Sequence, residues 1–241
     1  MDMMESNITT QLSFSNLHIN ALFVENVENY YIYERTIVIN VGTDSVYFDE
    51  PLSKDLKIFN STIVKDIKIK KASAVILISI CDEINIGNVI LEKGWNLLGD
   101  ILPKDSTFPK NTPLWRSSQE SITTVSLDPL YITGQITTSV TQKNFEIKVN
   151  LWFAPALTNC VIHNTHDFIE FHTQIYGLGR MQKFKTQDSS TLYEDIFMSE
   201  GYTTPVPFCN VEEDSNYIYP WHQYYADTDC IWLAIEYHPV K

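Results

Sequence analysis

Short stretches in which polar and apolar residues alternate with a period of two dominate this sequence. Residues 57–71 alternate charged side chains with Ile and Val, residues 30–41 are rich in aromatic and β-branched residues, and residues 74–80 form a continuous apolar run. A period of two and β-branched residues are typical of strands. Helix signals are scarce, and we expect at most one or two helical turns, at residues 192–198. The pattern therefore predicts an all-β fold.

A change in composition at residues 102–120 divides the chain. This stretch contains three prolines together with several Ser, Thr and Asn residues, which is typical of a linker or a long loop. The 241 residues suffice for one large all-β domain or for two smaller ones. We expect a β-rich domain of unknown role at residues 1–115 and a second domain at residues 116–241, which carries the chemistry.

The charge balance excludes some classes of partner. The formal net charge is −13, and residues 187–240 contain no Lys or Arg. Binding to nucleic acid or to an anionic membrane surface depends on clustered basic residues, so neither is expected. The acidic C-terminal stretch indicates solvated loops or, alternatively, an electrostatic field that favours cations, including a metal.

The cysteines and the apolar segments indicate a soluble cytoplasmic protein. The four cysteines lie far apart without a CxxC pair, so we expect buried thiols in a reducing compartment. No segment approaches the roughly 20 consecutive apolar residues of a membrane helix, and the first residues do not resemble a signal peptide.

Histidines concentrate near the C-terminus, where their spacing is informative. Five of the six lie in the last 80 residues: His163, His166, His172, His222 and His238. Residues of equal parity share one face of a strand. The following side chains would then point the same way: His166, Phe168, Glu170, His172, Gln174 and Tyr176. On a buried face such groups must be hydrogen-bonded, paired or bound to a cation.

This segment resembles the first motif of the cupin superfamily, which has two histidines one residue apart, then a glutamate and a glycine. His166, Glu170 and Gly177 occupy their places in register, whereas Asn164 stands where the first histidine is expected. The run also resembles the sugar-sensing barrel of arabinose-regulator-type transcription factors. A second cupin motif, a proline-containing turn before a histidine and an apolar strand, resembles Pro220, His222 and residues 230–237. The resemblance covers roughly residues 155–241.

The resemblance implies a cupin-type jelly-roll barrel, with a bicupin that has a degenerate N-terminal barrel as the alternative. It implies a divalent metal held by His166, Glu170 and His222, with Asn164 or a displaced His163 as the fourth ligand. Fe(II) is the metal expected first, and Mn(II) and Zn(II) are alternatives. The remaining expected site residues are a catalytic His172 and three substrate contacts, Gln174, Tyr176 and Trp221.

Two classes of function follow from this. The first is a metal-dependent cupin enzyme of the oxygenase or isomerase type, acting on a small molecule, in which His172 transfers protons. The second is a non-catalytic small-ligand-binding or sensor cupin, whose polar cluster is either a metal site or an internal polar network. A structural or interaction protein is a third reading. Cupins often dimerise through sheet edges, so a homodimer is also expected.

Overall fold

The fold is taken from a computed structural model that describes residues 5–52, 55–103, 106, 108–136, 141–204, 207–212 and 216–240. Within these ranges the chain forms antiparallel strands and two helices of one turn each, α1 (Leu98–Ile101) and α2 (Pro129–Ile132). Single turns of 3-10 helix lie at Ile86–Leu91 and Ser189–Thr191. The predicted all-β fold is confirmed.

The first sheet is built entirely from the N-terminal part of the chain. Its seven strands are β1 (Ile8–Gln11), β2 (Ile19–Ile32), β3 (Thr36–Asn40), β4 (Val46–Phe48), β5 (Asp55–Leu56), β6 (Ser61–Val64) and β7 (Ile67–Ile80). The order is β1-β2-β7-β3-β6, with β4 on β7 and β5 on β4. Apolar side chains of this sheet also form a small core of their own.

The second and third sheets contain the rest of the chain. The second comprises β8 (Asn96–Leu97), β9 (Trp115–Arg116), β10 (Glu120–Leu127), β11 (Lys143–Ala154), β13 (Ile169–Tyr176) and β19 (Cys230–Pro239), in the order β13-β19-β11-β9-β8 with β10 on β11. The third comprises β12 (Thr158–Asn159), β14 (Gly179–Phe184), β15 (Leu192–Met198) and β18 (Trp221–Ala226), in the order β12-β18-β14-β15. A separate pair joins β16 (Asn210–Val211) and β17 (Tyr217–Ile218).

The three sheets pack as layers around two main cores. Apolar side chains of the first and second sheets form one shared core, in which Phe59 stacks on Phe171 with ring centroids 4.6 Å apart. The second and third sheets face each other across another core, which contains Met181, Tyr224 and Trp232. The second sheet is therefore covered on both faces. Facing antiparallel sheets of this kind are the arrangement expected of a jelly roll.

The expectation of helical turns at Leu192–Met198 is wrong. These residues form β15, which pairs with β14 from Gly179↔Met198 to Phe184↔Leu192. Helix propensity is a weak local preference, and the hydrogen bonds offered by a neighbouring strand override it.

The loop predicted at residues 102–120 is partly strand. Trp115–Arg116 forms β9 and pairs with both β8 and β11. The boundary between the first and second sheets thus lies between Ile80 and Asn96, upstream of residue 115. The division of the chain into domains at residues 1–115 and 116–241 stays a prediction.

The cysteines and helices bear on two further expectations. Cys160, Cys209 and Cys230 are buried free thiols, as predicted, whereas Cys81 is exposed just beyond the end of β7. In the described ranges no helix has both the length and the apolar character that crossing a membrane requires.

Candidate metal centre and its cavity

Two facing strands bring the C-terminal histidines together. Glu170 lies near the start of β13 in the second sheet, and His222 lies on β18 in the third. His163 and His222 exchange backbone hydrogen bonds of 3.0 and 2.9 Å, so the segment before β13 is fastened to β18. This pairing places His163, His166 and His222 in one cluster.

The Nε2 atoms of the three histidines converge on one point. His166 Nε2 lies 3.1 Å from His163 Nε2 and 3.3 Å from His222 Nε2. The Glu170 carboxylate closes the group, with Oε1 3.5 Å from His166 Nε2 and 3.9 Å from His222 Nε2. Three ring nitrogens thus lie within 4.8 Å of one another, and a carboxylate oxygen lies beside two of them.

Backbone carbonyls fix the tautomers of two of these histidines. Nδ1 of His163 is 3.0 Å from the Val161 carbonyl oxygen, and Nδ1 of His222 is 2.9 Å from the Pro220 carbonyl oxygen. A carbonyl only accepts, so each Nδ1 carries the proton and each Nε2 presents a lone pair to the cluster. Val161 adopts φ 67°, an unfavourable conformation for a β-branched residue, at the turn that presents its carbonyl.

The donor set fits a divalent metal. With metal–nitrogen distances of about 2.1 Å, two ligands on one ion lie roughly 3.0–3.4 Å apart, which matches the separations of His166 Nε2 from the other two Nε2 atoms. Lone pairs aimed at one another repel unless a proton or a cation lies between them. A second hydrogen bond from Nδ1 to a carbonyl is the arrangement that orients metal-bound histidines. His163, His166, His222 and Glu170 are accordingly the residues that would hold the ion.

Burial sets the protonation states of this cluster. It lowers the pKa of His166 to about 3 and that of His222 well below its usual value, and the neighbouring histidines lower both further. Burial also lowers the pKa of His163. The pKa of Glu170 is raised to about 8, first by burial and then by the charge of Glu236, its cross-strand neighbour on β19. The histidines are therefore neutral at pH 7, the state in which imidazole binds a metal.

Tyr219 anchors the strand that carries Glu170. Its hydroxyl donates to the Phe168 carbonyl oxygen at 2.9 Å and accepts from the Glu170 backbone N–H at 3.1 Å. The Tyr219 ring also lies against His166, with ring centroids 4.7 Å apart. One buried side chain thus positions both the carboxylate strand and a histidine. In the sequence Tyr219 is one of several closely spaced aromatic residues, and nothing there indicates this role.

The cluster opens into a cavity of about 520 Å³ between the second and third sheets. This volume lies within the range of small-molecule pockets, about 300–1,000 Å³. Most of its walls are apolar, and the side chains are Leu98, Leu102, Phe108, Leu114, Trp152, Cys160, Tyr224 and Trp232. Polar groups on the lining besides the cluster are Ser106, Arg116, Thr165 and His172. Part of the segment predicted as a linker therefore forms a wall of the cavity, and the sequence did not indicate that Arg116 reaches it.

His172 lies in this cavity, as expected of the predicted catalytic residue. It is buried, its ring is tilted against that of Tyr224 with centroids 4.2 Å apart, and its Nδ1 has no hydrogen-bond partner among the described residues. Burial and the nearby His166 and His163 lower its pKa to about 3. Its catalytic role stays a prediction.

The other expected site residues lie outside the lining. Gln174 is fully buried and donates to the Tyr176 carbonyl oxygen at 2.6 Å. The expected shared face is wrong for Tyr176, because a register shift after Gln174 turns its side chain to the core shared with the first sheet. Trp221 precedes His222 on β18, so its side chain points to the opposite face of that sheet.

Of the two candidates for the fourth ligand, Asn164 and His163, the geometry favours His163. Nε2 of His163 is part of the converging cluster, whereas the Asn164 side-chain oxygen accepts a hydrogen bond from Thr165 at 3.4 Å. Residues 163–168 precede β13 and are not a regular strand, so face parity does not apply to them.

Comparisons with known proteins bear on the fold alone. No family model and no curated protein matches the sequence. Among solved structures the chain is similar to a cupin 2 conserved barrel domain protein from Leptotrichia buccalis, with 7% identity over 98% of this chain and 91% of that one and a TM-score of 0.31. It is also similar to AerE from Microcystis aeruginosa (9% identity, 96% and 97%, TM-score 0.28) and to an oxalate decarboxylase from Bacillus subtilis (10% identity, 100% and 80%, TM-score 0.28).

One of these neighbours is named as a cupin barrel protein, the superfamily that the two motif fragments resemble. At these TM-scores the likeness carries no argument about the site. The functional inferences below rest on the geometry of the cluster and its cavity.

Proposed function

We propose that this chain is a metal-dependent enzyme of the cupin type that acts on a small molecule bound in the cavity. The observation that carries the proposal is the convergence of three Nε2 atoms and one carboxylate oxygen at the wall of a largely apolar cavity. Two of those nitrogens are held as lone-pair donors by backbone carbonyls. A buried polar cluster without a ligand is unfavourable in the folded state, because each group has lost its hydration.

Fe(II) is the ion we propose first, with Mn(II) and Zn(II) as alternatives, because histidine nitrogens and one carboxylate suit all three. The metal would supply a Lewis acid next to the substrate. The protein would orient the substrate and exclude water with its apolar walls. His172, which lies in the same cavity outside the cluster, is the proposed proton-transfer group.

The experiment is metal analysis of protein purified without chelator, followed by titration of the apoprotein with Fe(II), Mn(II) and Zn(II). We expect one ion per chain, and we expect His166→Ala and Glu170→Ala to reduce this strongly. His172→Ala is the matched control, since it removes a buried histidine from the same cavity but not from the cluster, and it should retain the metal. Folded wild-type protein that takes up none of the three ions would refute the metal proposal.

A second candidate is a non-catalytic cavity in which the cluster is an internal polar network. The observation in its favour is that His166 Nε2 lies within hydrogen-bond distance of both other histidines, so shared protons could link the rings. The same titration separates the two functions. A polar network predicts that the apoprotein and the metal-treated protein have equal thermal stability, whereas bound metal stabilises the folded state.

We further propose that the protein is cytoplasmic and forms a homodimer, and that its ligand is a small molecule rather than a nucleic acid or a membrane. The cavity volume and the net charge of −13 support the nature of the ligand.

A further inference from the structure

The cavity wall carries one arginine, Arg116, whose ion pairing differs from that of the other arginines of the chain. The sequence contains three arginines, Arg35, Arg116 and Arg180. Arg35 is paired with Glu200 at 2.7 Å, and Arg180 is paired with Asp195 and Asp227. Within the described residues no carboxylate lies within ion-pair distance of Arg116, although the chain carries 30 acidic residues against 17 basic ones.

The position of Arg116 is fixed by its strand. Residue 116 on β9 is paired with Asn96 of β8 on one side and with Trp152 of β11 on the other. The guanidinium lies over the Trp152 ring, 5.8 Å from the ring centroid, and Nε is buried without a hydrogen-bond partner among the described groups. An unpaired, partly desolvated guanidinium is unfavourable in the folded state. Its presence in a cavity indicates that a ligand provides the missing anion.

We infer that the cavity binds a small organic acid whose carboxylate pairs with Arg116 and whose apolar body lies against the leucine and aromatic walls. The planar guanidinium offers donors in a fork that matches a carboxylate. Arg116 is the single arginine or lysine among the described lining residues. One guanidinium balances a singly charged carboxylate, whereas a phosphate dianion would keep an uncompensated charge inside a largely apolar cavity.

The apolar walls of the cavity narrow the class of ligand further. The apolar side chains on the cavity walls include Leu98, Leu102, Phe108 and Leu114, together with the larger Trp152 and Trp232. Burying the methylenes of a ligand against these walls is favourable, so the cavity favours a monocarboxylate with a hydrocarbon chain or ring over a short dicarboxylate. This assignment rests on the proposed small-molecule function of the same cavity and names its substrate class.

The test uses hexanoate and its uncharged isostere hexanamide as probes, measured by calorimetric titration of the full chain in a chelator. Excluding metal ensures that the carboxylate does not simply bind the ion. We expect hexanoate to bind at least about 10-fold more tightly than hexanamide, because a charge-assisted pair is worth that factor or more. Arg116→Gln should abolish the difference. Arg35→Gln is the matched control, since it removes an exposed arginine that does not line the cavity, and it should keep the difference.

The outcomes separate this inference from the metal proposal. Wild-type protein that binds acid and amide equally, or binds neither, overturns the inference without recourse to any variant. An Arg116→Gln protein that still prefers the acid overturns it as well. The metal content of both proteins is measured in parallel: acid preference without metal uptake refutes the metal proposal only, and metal uptake without acid preference refutes the carboxylate site only.

Discussion

Replacement of Tyr219 by Phe tests whether its hydroxyl holds the strand of Glu170 in place. The hydroxyl is buried and serves two backbone groups, the Phe168 carbonyl and the Glu170 N–H. Removing it leaves both groups without that partner while the ring still fills its space. Each buried backbone group that loses its partner costs about 1–3 kcal/mol. A buried carbonyl that loses one partner is better tolerated than a buried N–H, so we expect the free energy of unfolding to fall by an amount in the lower part of the summed range, roughly 2–4 kcal/mol.

Thermal unfolding and metal titration measure the two consequences. For a chain of this size the expected loss lowers the unfolding midpoint by roughly 5–15 °C. The affinity for the proposed metal should fall about 10- to 100-fold, because outer partners of metal ligands have effects of this order. The loss in affinity arises through the position of the Glu170 backbone, so the set of metals bound should not change.

Tyr224→Phe is the matched control for this substitution. Tyr224 lines the same cavity, but its buried hydroxyl forms no hydrogen bond of ordinary geometry with a described group, although the Thr204 side chain is nearby. Its removal should therefore leave the stability of the ligand-free protein unchanged or slightly increased. If Tyr219→Phe and Tyr224→Phe have the same midpoint and the same metal affinity, the reasoning that assigns Tyr219 a positioning role is refuted.

Three further predictions concern packing, backbone conformation and metal removal. Phe171→Ala should lower the free energy of unfolding by about 3–5 kcal/mol in a single calorimetric transition, because its ring lies in the core shared by the first two sheets; two separate transitions would contradict this shared core. Gly177→Ala should destabilise by at least about 2 kcal/mol, since Gly177 has φ +77° and an added Cβ would meet the Asp229 carbonyl oxygen at 2.0 Å. Gly87→Ala should change the midpoint little, because the added Cβ would only make an ordinary contact with the Phe153 ring at 3.7 Å. Chelation of bound metal should lower the midpoint, and metal at 1,000 times its Kd should raise the stability by about 4 kcal/mol; an unchanged midpoint argues against binding.

The period of two in the sequence predicts the faces of β13 correctly up to its end. Glu170 and His172 line the cavity, while Ile169 and Phe171 pack in the core shared with the first sheet. The prediction fails at Tyr176, because the register shift after Gln174 reverses the faces. Such an irregularity depends on how a neighbouring strand pairs, and a single strand sequence does not specify that pairing.

The ligand set and the cavity wall depended on contacts between distant parts of the chain. His163 joins the cluster because its backbone pairs with that of His222 and because Val161 turns the chain at a positive φ. The loop composition of residues 102–120 indicated where regular structure is interrupted, but not that Leu114 and Arg116 would line the cavity. Local composition sets local conformation, whereas the partner of each segment follows from the global packing.

The packing of the second sheet explains why the N-terminal half of the chain, which has no recognisable chemistry of its own, accompanies the site. Seven of the eight residues of β13 are buried, although its cavity face carries Glu170 and His172. A strand can be dry on both faces only if a second layer covers its back, and the first sheet provides that layer through contacts such as Phe59 on Phe171. Burial keeps the cluster histidines neutral. Water that reached the back of β13 would therefore favour their protonated forms, which do not bind a metal, and would also disrupt the core. The N-terminal sheet therefore contributes to the proposed metal site without supplying a ligand.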